Sequence, residues 1–450
     1  MVEENNKEFY NIQVYINDPL PPFLLSVDIK RLLFVIVGFF WFLVGCQQAD
    51  VNSEVGGGEN IRNGRILVWH SWGESGSAAL EELVTKYQSV HPDVTIVITH
   101  VEPNELKDRF MRTAALGLGP DLMIGPSDWL LPLIEQNTIA PIDLDYLELI
   151  KFNPAAVELA TYNRFLYGVP LSLKAPVLYA NKNLTDSIQT SYESLLEAAT
   201  EGEIIAISIN ARTAYSGIEA FGAPLIEVVE IEEMGSTLRL NSEGFIAWVT
   251  WLKRAQENPN IIISNDEEAL AELFRKNEVA AYLGPFAISE TLLELNNGDG
   301  DIAPINLAMS LVPKNDANIS RPLIQADLIY FNQASSARQQ NIALSFSDFL
   351  SSSEQGNFLL RELNIVPANQ RVRIARRVYP FAYAYGQSAR TAVAIPIELE
   401  QVLIGTAGNT VYTAILSGAK ETDTAFCDWQ VQIEAAWNGP FVGAEMCEDN

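Results

Sequence analysis

The chain of 450 residues has few cysteines, few histidines and little basic charge. Its three histidines, His70, His91 and His100, lack the helix-face spacing of metal ligands. Lysine and arginine number 29 against 57 acidic residues, and the net charge of −28 repels nucleic acid. Gly-x-Ser-x-Gly elbows, Walker loops and Gly-x-Gly-x-x-Gly turns are absent. The composition therefore predicts no metal, no cofactor and no nucleic-acid partner.

The longest apolar run is too short to cross a bilayer. Two cations, Lys30-Arg31, precede the 14 residues Leu32 to Gly45, whereas a membrane-spanning helix needs about 20. This pattern predicts a signal peptide over residues 1–45, and a signal anchor with an incidental cysteine is the alternative. Leu43-Val44-Gly45-Cys46 resembles the lipobox of bacterial lipoproteins. The resemblance implies that Cys46 is lipidated and becomes the mature N-terminus.

A polar segment follows Cys46 and separates it from the folded part. Residues 46–61 are rich in Asn, Ser, Glu and Gly, which predicts a flexible tether because such a composition cannot bury a core. In an exported chain, Cys427 and Cys447 are left either as a disulfide or as two unlinked thiols. A disulfide would close a loop of about 20 residues, a gain of roughly 3 kcal/mol from chain entropy. We therefore predict that the two cysteines are joined.

Strand and helix patterns alternate through the first hundred folded residues, which begin near Arg62. About 390 residues remain beyond that point, a length that favours two lobes over a single core. Short apolar strands alternate with amphipathic helices in a pattern typical of a parallel sheet covered on both faces. In such sheets ligands bind at the carboxyl ends of the strands. Strands are predicted at 66–69, 94–101 and 121–124, helices at 77–90 and 105–116, and a mostly helical end at 396–437.

Five sequence segments, in this order and spacing, resemble one known family. ILVWHSWGESGSAALEELVTKYQSVHPDVTIVI and GPDLMIGPSDWL fall in residues 66–130, and LYGVPLSLKAPVLYANKNL spans Leu166 to Leu184. VAAYLGPFAIS (Val279 to Ser289) and VYTAILSGAKETDTAF (Val411 to Phe426) follow. Together they resemble the maltose-binding-like group of extracellular solute-binding proteins of sugar-importing ABC transporters. The resemblance implies an α/β, two-lobe periplasmic-binding-protein fold with hinge crossings and a mainly helical C-terminal segment.

The resemblance also implies a domain division and a function. Lobe 1 would comprise residues 62–170 and 325–368, and lobe 2 residues 171–324 and 369–450. The chain would be a monomeric binding protein without catalytic activity, periplasmic or otherwise extracytoplasmic and held to the membrane by its N-terminal lipid. It would capture a sugar or oligosaccharide between the lobes and deliver it to the transmembrane subunits of an ABC permease.

Sugar sites need flat aromatic rings and converging hydrogen-bonding groups, and loops of the first lobe supply both. Trp72 and Glu74 follow the first strand; Ser127, Asp128 and Trp129 follow the third. We predict that these five residues contact ligand. Alternatively, the tryptophans pack on the lobe surface and the two acidic side chains cap helices.

The second group of candidates lies further along the chain. The resemblance places Lys174 in a crossing segment, Tyr215 after a buried strand and Phe286 where many relatives carry tryptophan. Lys174 is otherwise a solvated surface lysine. Asp327, in a second crossing strand, is either a cleft acceptor or a hinge hydrogen-bond partner.

Two other function classes stay open at this point. An anion such as a phosphorylated polyol would use Lys174 and Arg212 as clamps. An exported glycoside hydrolase would need two carboxylates about 5 to 9.5 Å apart, and no such pair stands out in the sequence. The cluster Arg371, Arg373, Arg376 and Arg377 is either an anion site or, as we predict, a solvated helix face.

Overall fold

The computed structural model describes residues 63–143, 146–231, 235–285, 305–315 and 320–447. The predicted signal peptide, Cys46, the tether and Phe286 lie outside these ranges. Within them, no helix combines the length and the apolar character needed to cross a membrane.

The described strands are short and separated mostly by helices. They are β1 Gly64–His70, β2 Val94–His100, β3 Leu122–Pro126, β4 Thr161–Tyr162, β5 Phe165–Leu166, β6 Gly168–Lys174, β7 Val177–Asn181, β8 Ile205–Ser208, β9 Ile226–Ile231, β10 Gly235–Leu240, β11 Ile261–Ser264, β12 Ala281–Gly284, β13 Leu307–Ser310, β14 Gln325–Phe331, β15 Val366–Pro367 and β16 Phe441–Val442.

Several helices are preceded by a residue whose side chain accepts a hydrogen bond from a free backbone N–H group of the first turn. Asn210 accepts from the N–H of Arg212, and Asp266 accepts from that of Ala269. Ser336 forms a reciprocal capping box with Gln339. The α-helices are Glu74–Val90, Pro103–Ala114, Leu130–Glu135, Tyr146–Leu149, Pro154–Leu159, Tyr192–Thr200, Ala211–Phe221, Glu243–Gln256, Glu267–Arg275, Ala337–Leu350, Ser353–Leu363, Pro380–Thr391, Glu400–Leu403, Thr406–Leu416 and Thr422–Ala436.

The first sheet has six strands in the order β15-β6-β14-β3-β1-β2. β1 pairs in parallel with β2 and β3, as the alternating pattern predicted. β14 enters from far along the chain and pairs antiparallel with both β3 and β6. The sheet therefore brings together strands from two separate parts of the sequence.

The second sheet has five strands in the order β11-β8-β12-β7-β13. β8 pairs in parallel with β11 and β12, and β7 pairs antiparallel with β12 and β13. A smaller sheet has the strand order β16-β10-β9, in which β10 pairs in parallel with β16. The sequence did not predict the antiparallel pair β9–β10, because its residues mix polar and apolar types without a clear alternation.

The chain passes between the two large sheets at identifiable points. β6 remains in the first sheet to Lys174, and β7 of the second sheet begins at Val177. The helix Pro380–Thr391 braces this crossing, since Ser388 Oγ donates to the carbonyl of Pro176 and the hydroxyls of Tyr385 and Tyr179 are 2.9 Å apart. The crossing segments are thus held by hydrogen bonds as well as by the strands.

Each sheet has a packed apolar core. Leu83, Phe110 and Leu328 are among the fully buried residues around the first sheet, and Trp248 and Ile207 are among those around the second. Burial of such side chains contributes about 1.5 to 3 kcal/mol each. These cores fix the positions of the strand ends that carry the polar groups described below.

The C-terminal segment is mainly helical, as predicted. Cys427, in the helix Thr422–Ala436, forms a disulfide with Cys447, and the two Cα atoms are 5.5 Å apart. The prediction of a helix for Arg371 to Arg377 was wrong: this segment consists of turns and irregular backbone before the helix that begins at Pro380. Pro380 starts that helix because its missing N–H costs nothing in the first turn.

Candidate functional site

One edge of the first sheet collects most of the predicted site residues. β3 ends at Pro126, opposite Asp327 of β14. β6 ends at Lys174, opposite Gln325 of β14. The carboxyl ends of β3 and β6 and the start of β14 therefore meet at this edge, where Ser127 and Asp128 also lie.

Asp128 lies at this edge and makes two side-chain contacts. Its Oδ2 accepts from Gln325 Nε2 at 3.3 Å and from Arg212 Nη2 at 3.4 Å. Its Oδ1 is buried and has no hydrogen-bond partner among the described residues. No side chain caps the short helices that begin at Ser127 and Leu130, so capping was the wrong alternative for Asp128. Asp128 is a carboxylate with hydrogen-bonding capacity still free.

Ser127 is buried and has a structural contact. Its Oγ accepts from the backbone N–H of Ala326 at 3.2 Å, which ties the loop after β3 to the start of β14. The hydroxyl of Tyr330 donates to the carbonyl of Pro126 at 2.6 Å. These two bonds hold the Ser127-Asp128 loop in place and so position the Asp128 carboxylate.

Arg212 approaches Asp128 from the second sheet. The helix Ala211–Phe221 follows the carboxyl end of β8, so Arg212 occupies its first turn. Its contact with Asp128 joins the carboxyl-end edge of the second sheet to that of the first. The sequence analysis considered Arg212 only as an anion clamp. Its contact with Asp128 was not predicted, because no spacing rule relates two residues 84 positions apart.

Glu400 is a third charged group at the same place, and the sequence did not predict it. Its Oε1 is 3.8 Å from Arg212 Nη2 and has no hydrogen-bond partner among the described residues. Burial raises the pKa of Glu400 to about 7; the Arg212 charge opposes the shift and the Asp128 charge adds to it. One guanidinium thus lies between two carboxylates, of which one is buried.

A half-buried carboxylate, Glu267, contacts the end of β8. Ser208 Oγ and Thr213 Oγ1 both donate to Glu267 Oε1, at 2.8 and 3.0 Å. Burial raises the pKa of Glu267, while these two hydrogen bonds and the Arg212 charge act in the opposite direction. This group stabilises the loop from which Arg212 projects.

Lys174 and Asp327 form an ion pair on adjacent strands. Lys174 Nζ is 3.0 Å from Asp327 Oδ1, and Ser172 Oγ donates to Asp327 Oδ2 at 2.8 Å. Asp327 is buried and Lys174 is mostly buried, so Lys174 is not a solvated surface lysine. The contacts of Asp327 match the hinge alternative, because both of its oxygens bind residues of the crossing strand β6.

Trp72 and Trp129 are half-buried and pack against the core around the first sheet. Trp129 lies over Gly125 of β3: a Cβ at Gly125 would be only 2.5 Å from Trp129 Cζ3. Trp72 follows β1 and lies similarly close to Gly76. Glu74 is exposed at the first position of its helix and makes no capping bond. The rings of Trp72 and Trp129 each keep part of their surface accessible.

Tyr215 is not placed as we predicted. Its side chain is only 3% exposed and belongs to the core around the second sheet. Almost every residue of the helix Ala211–Phe221 is buried, so the ring faces packed neighbours rather than open space. Burial raises the pKa of the Tyr215 hydroxyl well above its ordinary value. Arg212, three residues earlier, reaches the edge instead.

No cluster of three His, Cys, Asp or Glu side chains suited to a metal ion occurs within the described ranges. His70 and His100 do lie close together, with ring centroids 5.7 Å apart. Burial, followed by the charge of His100, lowers the pKa of His70 to about 4. His70 is therefore neutral at physiological pH.

The sequence matches known proteins over most of its length. The family model of the bacterial extracellular solute-binding protein matches residues 71–357. The maltotriose-binding protein of Pyrococcus abyssi is 24% identical over 350 residues, which cover 74% of this chain and 73% of the relative.

Several solved structures resemble this protein closely in fold, although their sequences are less than 20% identical to it. The GacH receptor of Streptomyces glaucescens, solved unliganded and with acarbose, has a TM-score of 0.69 and 17% identity, covering 83% of this chain and 98% of the receptor. A cyclo/maltodextrin-binding protein complexed with maltotetraose also has a TM-score of 0.69, with 18% identity and coverage of 85% and 98%. A maltose/maltodextrin-binding domain from Bdellovibrio bacteriovorus, bound to maltotriose, has a TM-score of 0.65, with 19% identity and coverage of 82% and 99%. These likenesses confirm the predicted two-lobe α/β fold class.

Proposed function

Because the chain belongs to the family of bacterial extracellular solute-binding proteins, we propose that it captures a sugar or oligosaccharide between its two lobes and delivers it to an ABC permease. It does so without catalysis, outside the cytoplasm, and attached to a membrane through lipid on Cys46. The lobes are those of the sequence prediction, residues 62–170 with 325–368 and residues 171–324 with 369–450.

The observation that carries this proposal is the contact between Asp128 and Arg212. Asp128 follows a strand of the first sheet, and Arg212 follows a strand of the second, so two strand-end edges face each other. Ligands of open α/β sheets bind at such edges. A solute bridging both would lower the free energy of the closed arrangement, and closure is the signal a permease can recognise.

The side chains at these edges have the chemistry that a sugar requires. Trp72 and Trp129 offer partly accessible aromatic faces to the apolar C–H surface of a sugar ring. Asp128 has one carboxylate oxygen without a hydrogen-bond partner among the described groups, and Glu74 is exposed. Carboxylates accept hydroxyl protons in strong, charge-assisted bonds. Arg212 supplies donors from the opposite edge.

An anionic ligand is a weaker fit to this edge. Lys174 and Arg212, the two clamps that such a ligand would use, are each within ion-pair distance of a carboxylate, Asp327 and Asp128 respectively. An anion would have to compete with these carboxylates for both cations. A neutral, hydroxyl-rich ligand can instead share the network by donating to the carboxylates.

Ligand screening by thermal shift tests the proposed ligand class. Maltotriose is the first probe because a relative is named for binding it, and glucose and raffinose extend the range of sizes and linkages. A true ligand at 100 times its dissociation constant adds about 2.7 kcal/mol to stability, so a clear rise in melting temperature is expected with at least one carbohydrate. Absence of a shift with every carbohydrate at millimolar concentration would contradict the proposal.

A further inference from the structure

Residues 363–397 differ in charge from the rest of the chain. They contain five arginines and no Asp or Glu, although acidic residues outnumber basic ones by 57 to 29 overall. None of the five makes an ion pair with another described residue. They are Arg371, Arg373, Arg376, Arg377 and Arg390, all exposed.

A cavity of about 400 Å³ opens beside this segment. One wall is the helix Pro380–Thr391, and the other comes from the strands β6 and β15 and the residues that follow β15. The cavity is separate from the Asp128–Arg212 edge, and none of those edge residues lines it. Its lining is partly polar and includes no acidic side chain.

Three polar side chains of the helix line the cavity. Tyr383, Gln387 and Arg390 are spaced four and three residues apart, so they lie along one helix face. The polar side-chain atoms of these three residues form no hydrogen bond with another described residue. Asn369 and Gln370 lie on the opposite wall, where both amides already bind backbone carbonyls. The free donors are therefore a guanidinium, an amide and a phenol.

We propose that this cavity is a second binding site, which takes a small anion bearing carboxylate or phosphate groups. The guanidinium of Arg390 would bind the anion in a bidentate manner, and Gln387 and Tyr383 would donate further hydrogen bonds. The positive field of the loop arginines attracts anions to a protein surface that otherwise repels them. The site does not depend on the identity of the solute in the cleft.

Isothermal titration of the full mature chain with citrate and with inorganic phosphate, at constant ionic strength, tests the proposal. Saturable binding of at least one anion is expected, and Arg390→Gln should weaken it about tenfold or more, because a charged hydrogen-bond donor is lost. The second variant, Tyr383→Phe, should weaken binding less while leaving the chain folded. Higher salt should weaken binding to the wild type.

Arg376→Gln is the matched control, since Arg376 is an exposed arginine of the same segment that does not line the cavity. It should change affinity less than about twofold, because Arg376 does not line the cavity and supplies only one of the four loop charges. Equal losses in Arg376→Gln and Arg390→Gln would overturn the cavity assignment in favour of a diffuse basic surface. The proposal would also be overturned by no binding of either anion, or by binding only to vesicles of anionic phospholipid.

Discussion

Replacement of Glu400 by Gln should remove a pH dependence from the stability of the protein. The pKa of Glu400 is raised from an ordinary value of 4.5 to about 7, chiefly by burial. A difference of about 2.5 pH units corresponds to about 3 kcal/mol. Because the folded-state pKa is the higher one, this stabilisation is fully present below pH 4.5 and is lost as pH rises through 7.

Urea unfolding of the wild type and Glu400→Gln at pH 5 and at pH 8 measures this contribution. Glutamine has nearly the same shape as glutamate and carries no charge. The stability of the variant therefore does not depend on ionisation at position 400. The free energy of unfolding of Glu400→Gln, minus that of the wild type, should be larger at pH 8 than at pH 5 by up to about 3 kcal/mol. Parallel stability profiles for the two proteins would refute the assignment of a buried, charge-disfavoured Glu400.

Three further outcomes are expected from other parts of the chain. Gly125→Ala should displace the ring of Trp129, since the new Cβ would lie 2.5 Å from Cζ3, and should shift the tryptophan fluorescence spectrum; an unchanged spectrum would contradict the packing. Cys427→Ser should lower the free energy of unfolding by roughly 3 kcal/mol, because the disulfide closes a loop of 20 residues; equal denaturation midpoints would argue against this. Mass spectrometry of membrane-extracted protein should find an acylated Cys46 at the N-terminus, and an intact Met1 would refute lipidation.

Local sequence patterns predicted the regular elements well. The first helix, Glu74–Val90, ends at the predicted residue, and β1 to β3 lie within three residues of their predicted limits. These elements have strong hydrophobic periodicity, because their apolar residues lie on the face that packs against the core. The loop from Arg371 to Arg377 was predicted as a helix because clustered charges resemble an exposed helix face, and sequence alone does not reveal the turns that replace it.

The candidate site was harder to predict, because its contacts join distant parts of the chain. Trp72, Asp128 and Trp129 were predicted from their positions after strands, and their contact with ligand stays a prediction. Glu400 was missed because only folding brings it near Arg212. Tyr215 was misplaced because its position after a strand suggested an edge location, whereas the helix that contains it is buried on nearly all sides.

Isothermal titration calorimetry of the wild type and of Trp129→Ala with maltotriose tests the proposed cleft most directly. The proposal predicts one saturable site in the wild type and a loss of about 1 to 3 kcal/mol in Trp129→Ala, the range for burial of a large side chain. Trp437→Ala, which changes a tryptophan packed against the second core, should bind like the wild type. Unchanged affinity in Trp129→Ala, with the wild type binding maltotriose, would contradict the placement of the sugar between these strand ends.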